Sequence, residues 1–150
     1  MGEAAKSFGP MMKLMGNMFG DLSNAFYKKY GKDALPIIAG VSTKSGADWA
    51  KIVQKMMPVK NMKDIAELYK MMYSTLGEKM EIVKMSDDTL HFKTSHCTMG
   101  IQGTNQQLCE AMINSDKKMV STLLGQQFDV KILKSLAAGD KYCEYVYSKK

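Results

Sequence analysis

The sequence predicts an α+β domain in which N-terminal helices pack on a mostly antiparallel sheet, with a further helix between two hairpins. Three observations carry this reading. Apolar residues recur every three to four positions through the first half of the chain. Alternation at period two then sets in around the turn-forming Ser86-Asp87-Asp88, and again around Ala138-Gly139-Asp140. Turns this tight join only antiparallel strands. A length of 150 residues suits one domain with its own core.

Each element follows in order. Residues 1–10 are small and polar, end at Gly9-Pro10, and predict a flexible arm, with the single domain covering 11–150. The first helix shows an apolar stripe of Met11, Met15, Met18, Leu22 and Phe26, with Met12, Leu14 and Phe19 beside it, and closes at Gly31. Gly16 and Gly20 each weaken that helix by roughly 1 kcal/mol relative to alanine, so it needs a surface to pack on. A second helix starts near Asp33, accepts Pro36 in its first turn and ends at Pro58. Its expected apolar side holds Ile38, Val41 or Ser42, Gly46, Trp49, Ile52, Val53 and Met56, and the small residues in its middle suit close helix packing. Asn61 with Asp64 opens a third helix, through Ile65, Leu68, Met71, Met72 and Leu76, closed at Gly77. A hairpin spans 80–94, and helix returns over 104–124 with a break near Asn114-Ser115-Asp116. Phe128, Val130 and Ile132 alternate in the next strand, and residues 142–147 form the last.

Composition narrows the function classes. All 21 basic residues are lysine, and the formal net charge is +6. Without arginine the chain lacks the bidentate fork that reads guanine and clamps phosphate or carboxylate, which argues against a nucleic-acid partner. Three cysteines, Cys97, Cys109 and Cys143, have no CxxC spacing and predict a reducing, cytoplasmic setting rather than a disulfide framework. The longest apolar run, around 34–41, is too short to span a membrane. No phosphate-binding glycine loop, zinc-protease motif or nucleophile elbow occurs. His91 and His96 are the only histidines, and neither makes a local dyad with Cys97 along an extended strand. The 15 methionines are one residue in ten. A methionine stripe fills a core, forms a groove for a partner helix, or lines a pocket that adapts to several apolar shapes.

The closing Gly139-Asp140-Lys141-Tyr142-Cys143-Glu144-Tyr145 resembles the C-terminal signature of the 4-vinyl reductase domain family and of the L-2-amino-thiazoline-4-carboxylic acid hydrolase-like family. The stretch Phe26-Tyr27-Lys28-Lys29-Tyr30-Gly31-Lys32-Asp33-Ala34-Leu35 is similar to the opening of the hydrolase-like family, so the resemblance covers about residues 24–147. It implies an apolar cavity between helices and sheet. In aromatic-sensing members it also implies a zinc ion held by three cysteines and a glutamate. Cys97 and Cys143 fall on two of those ligand positions, whereas Ser135 and Ile132 fall on the other two, so a stable zinc site is not expected. No cofactor is expected either.

The expected function is therefore a small-molecule-binding or sensing domain with a Met-lined cavity for an apolar or aromatic ligand, contacted by Trp49, Met71, Met72, Phe92 and Met112. One alternative is a thiol-dependent hydrolase of a cyclic amidine, with Cys97, Cys143 and His96 as the candidate catalytic groups and lysine replacing the missing arginine at a substrate carboxylate. The other is an interaction subunit that forms a homodimer through the helix over 11–29.

Overall fold

Gly31, with φ +61, ends the first helix in the left-handed conformation that glycine adopts without strain. The computed structural model describes residues 3–150, with side chains from Ser7 onward. Helix α1 spans Glu3–Tyr30 and a single 3-10 turn, Gly31–Asp33, leads into α2, Ala34–Met56. The Asn61 side chain accepts the Asp64 N–H at 3.1 Å while Asp64 accepts the Lys60 N–H at 2.8 Å, and this reciprocal cap starts α3, Met62–Thr75. Strands β1, Met80–Met85, and β2, Thr89–Thr94, form the first hairpin. Asn105 caps α4, Gln106–Met112, by accepting the Leu108 N–H at 2.8 Å, and α5, Asn114–Leu124, ends at left-handed Gly125. Strands β3, Phe128–Lys134, and β4, Cys143–Lys149, complete the chain around a 3-10 turn at Leu136–Ala138.

The four strands form one antiparallel sheet in the order β1-β2-β4-β3, so the two hairpins join along β2 and β4. The architecture is α+β, as the alternation and turns require. Leu90, Phe92 and Thr94 of β2 pair with Tyr147, Tyr145 and Cys143 of β4, and all six turn toward the helices. That inward face meets Ile65, Leu68, Tyr69 and Tyr73 of α3 and Met119, Val120 and Leu123 of α5 in one core. The opposite face carries polar pairs such as His91 Nε2 with Glu144 Oε1, 2.7 Å apart, the polar side typical of such a sheet.

The segment expected as an arm is helical from Glu3 onward. Those residues are the first turns of α1, and Pro10 lies inside the helix; residues 1–2 fall outside the described residues. The Gly9-Pro10 pair reads as a break in sequence, but Gly9 seats α1 against the Thr75 carbonyl. Helix α1 is also turned the other way from a core-filling helix. Gly9, Gly16, Gly20 and Ser23 face the body, whereas Met11, Leu14, Met15, Met18 and Leu22 face out. A Cβ on Gly16 would stand 2.6 Å from the Thr98 carbonyl oxygen, and one on Gly20 would strike the backbone of residues 99–100. Contact this close leaves no room for methionine beneath the helix. In α2 the buried side is Ile38, Ser42, Gly46, Ala50 and Val53, so Trp49, Ile52 and Met56 of the expected face are exposed.

Gly46 marks the crossing of α2 and α5, where a Cβ would collide with the Ser115 carbonyl, whereas Gly40 on the outer side of α2 has open space around it. Gly46→Ala is expected to lower stability in urea unfolding by roughly 1–3 kcal/mol through overpacking. Gly40→Ala is expected to raise it by roughly 0.5–1 kcal/mol through helix propensity.

Candidate functional site

The interior between α3, α5 and the sheet is built from aromatic rings that carry polar groups. Phe92 sits at its centre: Tyr147 stacks on it at 5.6 Å, and Tyr69, Tyr73 and Tyr145 approach at 5.8, 6.2 and 5.6 Å. Period-two alternation in β2 and β4 places Phe92, Tyr145 and Tyr147 on one face, and the Tyr69, Tyr73 spacing of one helical turn places the other two above them. Such offset ring pairs add about 0.5–1.5 kcal/mol each beyond their buried area.

One carboxylate enters this aromatic layer. The Tyr69 hydroxyl donates to Asp116 Oδ1 at 2.5 Å, and the Ser115 hydroxyl lies 3.2 Å from Oδ2. Burial pushes the Asp116 carboxyl above its ordinary range, against the lowering effect of hydrogen bonds from Tyr69, Ser115 and Tyr147. Burial likewise raises Tyr69, Tyr73, Tyr145 and Tyr147, keeping these phenols neutral hydrogen-bond donors. Asp116 follows Ser115, the residue α2 touches at Gly46, and Ser42 lies one turn before Gly46 on the same buried face. The Ser42 hydroxyl is fully buried and has no hydrogen-bond partner. A buried unsatisfied hydroxyl is costly, on the order of 1–3 kcal/mol. The α2–α5 crossing thus has the Asp116 carboxylate on its α5 side, bonded to Tyr69 of the aromatic layer, and the unused Ser42 hydroxyl on its α2 side.

The five expected ligand contacts separate in the structure. Phe92 is the hub just described and Met112 is buried in the same core, with Met72 packed at its margin. Trp49 and Met71 are exposed, so these two stand outside that interior. Trp49 instead lines a shallow open groove of about 260 Å³ with Val41, Lys44, Ser45, Asp48 and Ile52, all from α2. A second open groove, about 300 Å³, runs between α4, α5 and β3 and is crossed by the 2.7 Å Lys117–Asp129 ion pair. Asp116 was not foreseen as a site residue, because Asn114-Ser115-Asp116 reads as a helix cap. The signal available was a carboxylate placed among buried apolar positions of α5.

The candidate catalytic groups are not arranged for nucleophilic chemistry. Cys97, Cys109 and Cys143 are all buried free thiols. Burial pushes Cys109 up to about 11 and also raises Cys143, whose Sγ accepts the Leu136 N–H at 3.4 Å. Cys109 and Cys143 thus resist forming the reactive thiolate. His96 turns to Glu78, 3.6 Å away, and Glu78 also pairs with Lys13 of α1 at 3.1 Å. The donor set does not fit the tetrahedral zinc of the aromatic-sensing proteins. Ser135, on an expected ligand position, is buried and its hydroxyl accepts the Ala137 N–H at 3.1 Å, and Ile132 offers no donor. Among the described residues no group of three or more His, Cys, Asp or Glu side chains is placed to hold a metal ion.

Two solved structures share this fold. The phenol-responsive sensory domain of the transcription activator PoxR, crystallised with phenol, aligns with a TM-score of 0.65 and 13% identity over 89% of this chain and 74% of that one. A trafficking protein particle complex subunit 3 from Naegleria fowleri, covalently bound to palmitic acid, aligns at 0.69 and 13% identity over 93% and 95%. At such identity the likeness is one of fold. No family model matches the chain, and no curated protein matches it in sequence. No helix among the described residues is long and apolar enough to cross a membrane.

The raised Asp116 carboxyl fixes a pH response. The folded protein retains a proton there that the unfolded chain releases, so this contribution to stability is full below about pH 4 and is lost as pH rises through the folded value. Asp116→Asn should remove that slope. Thermal unfolding at pH 7–8 is expected to show the variant more stable by roughly 1 kcal/mol, with the gap closing toward pH 4.

Proposed function

We propose that this domain is a small-molecule-binding, sensing module for an apolar or aromatic ligand that carries one hydrogen-bonding group. Two observations carry the reading: a half-buried carboxylate, Asp116, held above its ordinary range beside the aromatic layer, and the buried Ser42 hydroxyl of the facing helix α2, which has no partner. A core serving packing alone has no use for either, since each costs stability. Local strain and unsatisfied groups concentrate where a ligand completes the structure. Two proteins of the same fold support it, one crystallised with phenol and the other covalently bound to palmitic acid. The vinyl-reductase-like ending of the chain points the same way.

The ligand interior in this reading is aromatic rather than methionine-lined, because the α1 methionines face outward. Phe92 and Met112 remain its inner contacts. Trp49 and Met71 do not reach it from their exposed positions, and Trp49 lines the open groove of α2 instead.

The outward face of α1 favours a second role beside the first: association of two copies through the helix over 11–29. Six large apolar side chains, Met11, Leu14, Met15, Met18, Phe19 and Leu22, stand exposed on that stretch. Contiguous exposed apolar surface of this size marks an interaction site.

Thermal shift with a series of phenols, benzoates and medium-chain fatty acids tests the first role. A true ligand at 100 times its dissociation constant stabilises by about 2.7 kcal/mol, a rise of roughly 5–10 °C for a chain of this size. Ser42→Ala is expected to leave the ligand-free protein as stable or more stable and to weaken the response. No shift with any member of the series, at millimolar concentration, would remove the binding proposal.

A further inference from the structure

We infer that the two copies pack α1 antiparallel, with the two-fold axis passing at Met15. This rests on the second-copy reading above and adds its geometry. The outward residues Phe8, Met11, Met15, Met18 and Leu22 are spaced by three, four, three and four, the seam spacing that fits against another helix. Leu14 and Phe19 widen the same face. No charged residue interrupts the seam. The apolar side of α2 differs here, since Lys44 and Asp48 stand among Val41, Trp49 and Ile52 in its groove.

The seam is symmetric about its middle. Phe8 and Leu22 each lie seven residues from Met15, and Met11 and Met18 lie four and three away. A two-fold axis at Met15 therefore brings Phe8 of one copy to Leu22 of the other, and apolar meets apolar along the whole contact, as an isologous interface demands. Charge selects this direction over the parallel one. Exposed Lys28, Lys29 and Lys32 cluster at the C-terminal end of α1. Parallel packing would bring six lysines together, whereas antiparallel packing separates the two clusters and opposes the helix dipoles.

Area is sufficient. Seven apolar side chains, from 37% exposed at Phe19 to 70% at Leu22, offer roughly 700 Å² per chain, close to the ~800 Å² per partner of a standard interface. The glycine contacts beneath fix α1 on the body, so the face is presented without an ordering cost. A lipid surface is the poorer occupant, because Lys13, the one lysine between Phe8 and Leu22, turns inward to Glu78.

Cysteine cross-linking of the full chain tests the geometry. The three native thiols are buried and serve as an internal control. In the antiparallel pair, residue 8 of one copy lies about 21 Å along the axis from residue 8 of the other, beyond disulfide reach, while residue 15 lies opposite itself. Met15→Cys is expected to link to itself under mild oxidation. Phe8→Cys and Leu22→Cys are each expected not to, but to link to one another when mixed. Self-links at all three positions would show a parallel pair and overturn this geometry while leaving the dimer standing. A single-chain mass for the unmodified protein by light scattering at 100 μM would overturn the second-copy reading itself. So would recruitment of that single chain to anionic vesicles.

Discussion

Helix α1 is held by its glycines, and this contact decides what the rest of the molecule presents. Gly9, Gly16 and Gly20 rest on backbone atoms of residues 75 and 98–100, closer than any side chain allows. Helices usually settle on a surface by interlocking side chains, with the larger residues beneath. Here the inner face has almost no volume, so the bulky residues of an apolar-rich helix are placed on the outside. The Lys13–Glu78–His96 cluster ties the same helix to the end of α3 and to the loop after β2. A rigid body and an outward apolar stripe are thus two results of one constraint.

The interior follows the opposite logic. Every ring that surrounds Phe92 belongs to a tyrosine, and hydroxyls come with each. Phenylalanine would fill the same space without a polar atom to satisfy. Tyr69 directs its hydroxyl to Asp116, and burial there raises the carboxylate's affinity for a proton. The α2–α5 crossing gives this layer its shape, since Gly46 lets Ser115 approach and thereby sets Asp116 beside the sheet. Binding chemistry and packing meet at the same pair of helices.

Much of the architecture was legible in the residues. Period-two alternation around 86–88 and 138–140 located both hairpins, and Asn61, Gly31 and Gly125 located helix ends. What sequence concealed was orientation. A stripe of methionines at helical spacing has the same periodicity whether it faces core or solvent, and hydropathy favours the core. The missing information was the glycine stripe at 9, 16 and 20, which reads as a weakness in an isolated helix and as a seat in a packed one. The burial of the expected contacts divides for the same reason. Phe92 and Met112 lie on faces that alternation or burial fixes, whereas Trp49 and Met71 lie on helices whose inner faces were assigned by bulk, and small residues occupy the inner side of α2 instead. Cys97 and Cys143, on two of the ligand positions the resemblance implies, are buried thiols, while Ser135 and Ile132 bring different chemistry to the other two.

The central claim is that α1 faces its methionines outward, and methionine oxidation resolved by peptide mass spectrometry reads this directly. In dilute peroxide, at a concentration where the protein has the mass of a single chain, Met11, Met15 and Met18 should oxidise as fast as Met56, which is 67% exposed. Met62 and Met112, each 1% exposed, should react only as fast as the protein unfolds. If the three α1 methionines react as slowly as Met112 in the single folded chain, the stripe lies inside and the account is wrong.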